Sequence, residues 1–283
     1  MLRRLLVPLA ITLVTPALGC SGTASTEPAV ATPEAVTTRA PVGQATHGPL
    51  KLAGEALGDV PLTASQRAAI EKLATDTDAR HVEARAARKD LVLAIAAQVQ
   101  AGQIDRAALQ PKIDALVAGL QKAQPADRAA LEQLHAILTA DQRTAFVDAM
   151  EARVGERVGH VREKRPLQQW AEDLGLTEDQ RSQIKDAMKA QWKAASQGHD
   201  GAPWAHAKEH GAKVMSAFKQ DRFVMDEVSP AKDVAAKAQK MSDHMLGVAQ
   251  AALPVLTAQQ RVIAAQKLRD KAESLDEVAP GMP

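Results

Sequence analysis

A six-residue string, Leu-Thr-x-x-Gln-Arg, occurs four times in the chain and constrains the fold more than any other feature. The copies begin at Leu62, Leu138, Leu176 and Leu256, and four of the six positions are identical throughout. Thr followed three residues later by Gln is typical of a capping box, in which each residue hydrogen-bonds the backbone amide of the other. The strings therefore predict four helix starts, a role that requires no ligand. The residues assigned to these starts are Leu62, Thr63, Gln66, Leu138, Thr139, Gln142, Leu176, Thr177, Gln180, Leu256, Thr257 and Gln260.

The spacing of the strings predicts a duplication. The first two strings begin at 62 and 138, and the last two begin at 176 and 256. Each pair is separated by a similar length, so the chain reads as one two-string unit that occurs twice. The period of the duplicated unit is far longer than that of a solenoid repeat, and it favours two copies of a small domain.

Composition predicts an all-α fold. Aromatic residues make up only 2% of the chain and Tyr is absent, whereas strands favour aromatic and β-branched residues. Long stretches of Ala, Leu, Gln, Glu, Lys and Arg favour helices. Pro111 and Pro125 are expected to break helices or to lie in first turns. The predicted helices are 63–100, 104–122, 126–137, 139–163, 167–174, 177–197, 203–222, 230–254 and 257–274.

Helical spacing also identifies core positions. Ile70, Leu73 and Thr77 share one predicted helix face, and Phe146, Met150 and Val154 share another. Apolar residues at this spacing are typical of the buried side of an amphipathic helix. Both faces are therefore expected to lie in the core.

The first twenty residues predict an export signal. Residues 1–4 include two arginines, and an apolar run follows to Leu18, interrupted by Pro8 and Pro16. A basic start and a short apolar run are typical of a secretory signal. The run is too short for a membrane-spanning helix.

Cys20 is the only cysteine of the chain, and it ends this segment. Residues 17–20 resemble a bacterial lipobox, which implies that the Cys20 thiol carries a lipid anchor; the alternative is ordinary signal cleavage that leaves a free thiol. By analogy with enterobacterial sorting, Ser21 at the next position implies the outer membrane of the bacterial envelope. The Thr-, Pro-, Ala- and Ser-rich segment that follows is expected to be a disordered tether.

Paired Leu-Thr-x-x-Gln strings in an exported helical chain resemble the Spy/CpxP family of periplasmic chaperones. The segment from Met215 to Phe218 and the polar turn to Glu227 also follow the family's spacing. The resemblance implies helical-hairpin units of the kind that pair antiparallel into a curved cradle. Here one chain carries two tandem units, which implies an intramolecular pseudo-dimer and a monomer in solution. The expected organisation is a signal over 1–20, a tether over 21–50, units over 51–163 and 164–275, and a disordered tail over 276–283.

Charge and motifs narrow the function classes. The chain has 35 basic and 34 acidic residues, and it lacks the basic excess expected of a nucleic-acid-binding protein. It contains no phosphate-binding loop, nucleophile elbow or zinc-protease motif. We therefore expect no enzymatic activity, no cofactor and no nucleic-acid partner.

Two groups of side chains are candidates for binding. His206 and His210 are four residues apart, a spacing that suits a transition metal, although a solvated pair on a helix is the simpler interpretation. Met241 and Met245, with His244, are a weaker candidate for copper. Five of the eight methionines lie in the second unit, where they serve either a binding surface or an irregular core. Those methionines are Met188, Met215, Met225, Met241 and Met245.

These features predict an ATP-independent envelope chaperone that binds unfolded or stress-damaged proteins on a concave, mixed apolar and basic helical surface. A metal-responsive or stress-signalling module of the same superfamily is one alternative. A lipid-tethered structural protein is another.

Overall fold

Ala-rich segments with few turn residues form helices throughout the part of the chain that the computed structural model describes, residues 39–164, 166–196, 203–230 and 234–275. Every regular element in these ranges is helical, which confirms the all-α class. A 3₁₀ turn at Leu253–Val255 precedes the last string. The helices are α1 (Gly48–Leu57), α2 (Ala64–Arg80), α3 (Val82–Ala101), α4 (Arg106–Ile137), α5 (Ala140–Lys164), α6 (Pro166–Asp173), α7 (Glu178–Ser196), α8 (Pro203–Phe218), α9 (Met225–Val228), α10 (Val234–Ala252) and α11 (Ala258–Glu273).

The helix expected over 63–100 is divided at His81 into α2 and α3. The backbone of His81 has φ −91° and ψ 0°, which is the bridge region at the edge of the helical one. Its Nε2 atom is 2.9 Å from the Asp127 carboxylate on α4. This long-range contact holds the bend, and no local residue preference marks it.

Conversely, Pro111 and Pro125 both lie inside α4, a single helix of 32 residues. A proline inside a helix removes one backbone hydrogen bond and costs about 3 kcal/mol or more. Buried Leu109 and Ile113 flank the first proline, and buried Ala123 precedes the second. Burial of this apolar face offsets the cost, so the helix breaks expected at these prolines do not occur.

The C-terminal end of the predicted tether is also folded. Val42 and Thr46 are almost completely buried, and the Val42 amide donates to the carbonyl of Gly54 on α1 at 3.1 Å. A Cβ atom at Gly54 would lie 1.9 Å from the Val42 carbonyl oxygen, so only glycine permits this approach. Residues 1–38, with the predicted signal, Cys20 and most of the tether, lie outside the described residues, as does the tail over 276–283.

Three apolar clusters lie among the described helices, and the two largest take residues from both predicted units. The aromatic core joins Phe146 of the first unit to Phe218 and Phe223 of the second. These are the only phenylalanines of the chain, and the ring of His135 stacks on Phe223 with centroids 5.3 Å apart. The second core, which we call the alanine core, consists of Ala96, Val99, Ala171, Leu174, Leu176, Leu253, Leu256, Ala264 and Ala265.

Most of the predicted core positions are buried. Ile70, Thr77, Phe146 and Met150 have relative exposures of 9% or less, and Leu73 packs against the aromatic core. Val154 was expected on the same face as Phe146, but its exposure is 44%. Among the described side chains of α5, none after Met150 is buried, so the helix continues past the core and Val154 faces solvent.

The turn after α8, residues 218–226, packs against the end of α4 in the first unit. Because this turn belongs to the second unit, we call it the second tip. His135 Nε2 donates to the Gln220 carbonyl oxygen at 2.8 Å, and it must therefore carry the ring proton. The Met225 amide donates to Glu132 Oε1 at 2.7 Å. Arg143, in the second string, donates to Asp221 at 2.9 Å. The second tip is therefore held by residues just before and within the second string.

The turn between α3 and α4, residues 101–106, forms the first tip and contacts the second unit in the corresponding way. Gly102 has φ +79°, which favours glycine, and Arg261 of the fourth string lies against it. Gln250 donates to the Ile104 carbonyl at 3.1 Å and accepts from Arg106 at 2.9 Å. Each tip thus contacts the end of the helix before a string, and the Arg of that string, in the other unit.

Candidate binding cavity and the paired helix starts

All four strings form complete capping boxes. In each string, the Thr hydroxyl accepts a hydrogen bond from the backbone amide of the Gln at 3.2–3.3 Å. The Gln Oε1 atom accepts from the Thr amide at 2.9–3.0 Å. The preceding leucines are all buried. The strings thus combine a polar helix start with an apolar anchor.

The glutamines of the first two strings also bind each other. Gln66 Nε2 donates to Gln142 Oε1 at 2.8 Å, and Gln142 Nε2 donates to Gln66 Oε1 at 3.0 Å. Their second amide protons go to the carbonyls of Ile137 and Pro61, at 2.8 and 2.6 Å. Together with the capping bonds, every donor and acceptor of the two side-chain amides is used.

The last two strings repeat this arrangement. Gln180 and Gln260 exchange hydrogen bonds of 2.9 and 3.0 Å. Gln180 Nε2 also donates to the Val255 carbonyl at 2.8 Å, and Gln260 Nε2 donates to the Gly175 carbonyl at 3.4 Å. Pairing of strings one with two and three with four is therefore a property of the folded chain.

The arginine that ends each string has a role that its sequence position did not reveal. Arg143, Arg181 and Arg261 donate back to the carbonyl of the leucine that opens their own string, at 2.9–3.3 Å. Arg67 donates to the Ala40 carbonyl at 2.9 Å, so the first string also contacts the segment that precedes α1.

A large apolar cavity lies among α1, α2, α3, α4, α5 and α8, with a volume of about 880 Å³. Its deep wall includes Ile70, Leu134, Phe146, Met150 and Phe218, all buried. A second set of lining leucines is only partly buried: Leu50, Leu73, Leu116, Leu120 and Leu131. A concave apolar space of this size is typical of small-molecule and peptide binding sites.

The polar lining of the cavity is mainly basic. Among the residues that the structure describes, it contains Lys51, Arg85, Arg88 and Arg157 but only two carboxylates. One carboxylate, Asp78, accepts two hydrogen bonds from Arg85 at 2.9 and 3.0 Å.

His47 Nδ1 also lies 3.0 Å from Asp78. Burial raises the pKa of Asp78, but the His47 hydrogen bond and the Arg85 charge lower it by more. The pKa of Asp78 therefore lies below its ordinary value. Asp78 is therefore ionised at neutral pH and already neutralised by protein groups.

The second carboxylate, Asp127, is also occupied. Its Oδ2 atom lies 2.9 Å from His81 Nε2, and its Oδ1 atom is 3.6 Å from Arg80. Arg88 and Arg157 are exposed and have no ion pair or side-chain hydrogen bond within the described residues. The cavity therefore combines an apolar interior with uncompensated guanidinium groups.

The predicted metal ligands are not brought into a cluster that the structure describes. His210 is exposed and its Nε2 atom lies 3.1 Å from the Ser229 hydroxyl, while the side chain of His206 is outside the described residues. Within the described ranges, no group of three or more His, Cys, Asp and Glu side chains is placed to hold a metal ion.

The methionines of the second unit divide between the two roles considered for them. Met225 is buried and Met215 packs against the aromatic core, as gap-filling residues do. Met241 and Met245, on α10, are 59% and 62% exposed. These two form a short apolar stripe on the surface.

The cavity was not predicted from the sequence, because only part of its wall follows from local sequence patterns. Its apolar wall uses the faces predicted from Ile70 and Phe146, but the remaining wall comes from other segments, including α1, α4 and α8. The reach of Arg88 and Arg157 toward it depends on how α3 and α5 pack. The pairing of the Gln side chains was likewise not predicted, although a capping box also accepts Glu and all four strings have Gln.

Comparisons with known proteins returned no match: no family model, no curated protein and no solved structure is similar to this chain. Within the described ranges, no helix is sufficiently long and apolar to span a bilayer.

Proposed function

We propose that this protein is an ATP-independent chaperone of the bacterial envelope, similar to the Spy/CpxP family, and that it binds unfolded or stress-damaged proteins. The observation that carries the proposal is the apolar cavity of about 880 Å³ with its basic lining. Exposed apolar segments of an unfolded client would lie against the partly buried leucines. Weak apolar contacts of this kind suit many clients and need no energy source.

The proposed architecture is an intramolecular pseudo-dimer of two tandem units. It is supported by two Gln pairs of the same geometry and by the two tips, each of which contacts the other unit. Glu132 and Gln250 each lie six residues before a string and each bind the opposite tip. A covalent link between units gives a high effective concentration, about millimolar for a short connection. Pairing within one chain therefore competes well with dimerisation.

We also propose that the protein is lipid-anchored through Cys20 and faces the periplasm, most simply on the outer membrane. The support is the sequence of residues 17–21. Two or more acyl chains give stable membrane attachment, since each buried CH₂ contributes about 0.8 kcal/mol. The anchor places the chaperone where exported clients pass.

The test is an aggregation assay with residues 35–283, which form one compact unit. Substoichiometric to equimolar protein should suppress light scattering by a reduced or heated client without ATP. Leu120→Glu places a charge on the cavity wall and should reduce suppression severalfold. Val154→Glu, at an exposed apolar position outside the cavity, is the matched control and should behave as the parent.

Absence of suppression with several clients would contradict the proposal. Equal losses in Leu120→Glu and Val154→Glu would assign client binding to a surface other than the cavity. Calorimetric titration with zinc, nickel and copper discriminates against the signalling alternative. Tight stoichiometric binding that is abolished by His206→Ala/His210→Ala, together with no client protection, would favour that alternative.

A further inference from the structure

The cavity has the interior of a site for an aliphatic chain. Its lining is dominated by Leu, Ile, Ala and Val side chains, with Phe146 and Phe218 at the deep wall. Its volume lies at the upper end of the range typical of small-molecule sites. Several of the lining leucines, including Leu73 and Leu116, are only partly buried because their apolar surface faces this space. An inserted alkyl chain would remove that surface from water.

The charged groups of the lining specify the sign of the ligand. Asp78 and Asp127 are engaged by Arg85, His47 and His81, so the carboxylates do not counterbalance the remaining arginines. Arg88 and Arg157 are exposed and have no ion pair within the described ranges. Guanidinium groups bind carboxylates with paired hydrogen bonds. A ligand with an anionic head and an apolar tail matches both parts of the lining.

We propose that the cavity binds a single-chain anionic amphiphile, a long-chain fatty carboxylate, with its alkyl tail against the leucines and its carboxylate at Arg88 or Arg157. The proposal goes beyond chaperoning and does not require client binding to be correct. A neutral amphiphile would satisfy only the interior of the cavity. A short carboxylate would satisfy only the guanidinium groups, which water screens well at an exposed position.

The test is calorimetric titration of residues 35–283 with laurate below its critical micelle concentration. Saturable binding near one site per chain is expected. Shortening the chain to decanoate should weaken the affinity about fourfold per CH₂ removed, the factor that corresponds to the transfer of one CH₂. Dodecanol should bind about threefold to fivefold more weakly, as expected for ion pairs at exposed guanidinium groups, and high salt should reduce the laurate affinity but not the dodecanol affinity.

Two variants with matched controls locate the site. Arg88→Gln/Arg157→Gln changes exposed side chains and should weaken laurate about threefold to fivefold without changing dodecanol. Lys185→Gln/Lys240→Gln, exposed and outside the lining, should change neither affinity. Leu73→Trp fills part of the cavity and should weaken both ligands. Leu268→Trp is its control, since Leu268 is also partly buried but packs on the alanine core.

The outcomes separate this proposal from others. Laurate binding that is unaffected by both the Arg88→Gln/Arg157→Gln and Leu73→Trp variants would overturn it. Equal affinity for laurate and dodecanol would also overturn it, because the head would then have no role. Binding to anionic phospholipid vesicles without binding to monomeric laurate would assign the basic lining to a membrane surface instead. If the protein protects clients but does not bind laurate, the fatty-carboxylate proposal has failed. If it binds laurate but does not protect clients, the chaperone proposal has failed.

Discussion

Replacement of Gln142 by Glu tests whether the paired glutamines stabilise the fold beyond capping. Gln142 Oε1 accepts from the Thr139 amide at 2.9 Å and from Gln66 at 2.8 Å. Its Nε2 atom donates to Gln66 Oε1 and to the Pro61 carbonyl. Glu has nearly the same size and retains both acceptors, but an ionised carboxylate donates nothing. The substitution therefore removes the cross-string bonds that Gln142 donates and leaves its capping bond.

The magnitude follows from those two bonds. Each net hydrogen bond contributes about 0.5–1.5 kcal/mol, and a partly buried acceptor left without a donor adds to the loss. A carboxylate in the first turn of α5 interacts favourably with the helix dipole, by about 0.3–1 kcal/mol. We therefore expect Gln142→Glu to lower the free energy of unfolding by about 1–2 kcal/mol at pH 7. Protonation of the introduced carboxyl restores one donor, so the loss should shrink on acidification.

The measurement is urea unfolding followed by circular dichroism at pH 7 and pH 4. Gln180→Glu makes the same change in the other pair and should give a similar loss. The matched control is Gln259→Glu, since Gln259 is exposed and occupies the string position that is Asp141 in the second copy. A loss no larger than that of the control would refute the reasoning, as would a loss that does not depend on pH.

Four further predictions follow from other features. Each single Thr→Ala change, at Thr63, Thr139, Thr177 or Thr257, should lower the free energy of unfolding in denaturant by about 0.5–2 kcal/mol. If none of the four changes lowers it, the strings are retained for another reason. Asp78→Asn should destabilise the protein at neutral pH and make its free energy of unfolding depend less on pH in the acid range. The pKa of Asp78 is lowered in the fold, so its contribution is present above the unfolded value of 3.8 and is lost as the pH falls through the lower folded value; parallel pH–stability curves for variant and parent would contradict this. Cys20→Ser should move the protein from the membrane to the soluble fraction, and an unchanged membrane fraction would exclude the lipid anchor. Light scattering should give a monomer mass for residues 35–283 that does not depend on concentration. Segments 39–163 and 164–275, expressed separately, should self-associate or unfold. If they are stable and do not associate when mixed, the pseudo-dimer is excluded.

Features that depend on neighbouring residues could be predicted from the sequence. A capping box needs only a Thr and a Gln three residues apart, so all four helix starts were recognisable. The faces containing Ile70 and Phe146 follow from helical periodicity in the same way. Both kinds of feature are determined within about one or two helical turns.

Features that depend on distant residues could not be predicted. The partner of Gln66 is 76 positions away, and nothing local distinguishes a glutamine that pairs from one that only caps. The bend at His81 is held by Asp127 on another helix. Local rules also failed at Pro111, where buried Leu109 and Ile113 keep α4 continuous despite the proline. In each case, packing overrides or adds to the local preference.

The reciprocal contacts of the two tips also determine the order in which this chain can fold. Gln100 at the end of α3 hydrogen-bonds Arg269 on α11, which is 169 positions later, and Ala96 and Val99 share the alanine core with Ala264 and Ala265. At synthesis rates of roughly 5–20 residues per second, the apolar face of α3 waits on the order of 10–30 s for its partner. Neither unit can complete its core during that interval, so final folding must follow the appearance of the last helix. The contact order is therefore high for a helical protein, and we expect folding to be correspondingly slow. Until the last helix is complete, the apolar face of α3 therefore remains without its partners in the alanine core.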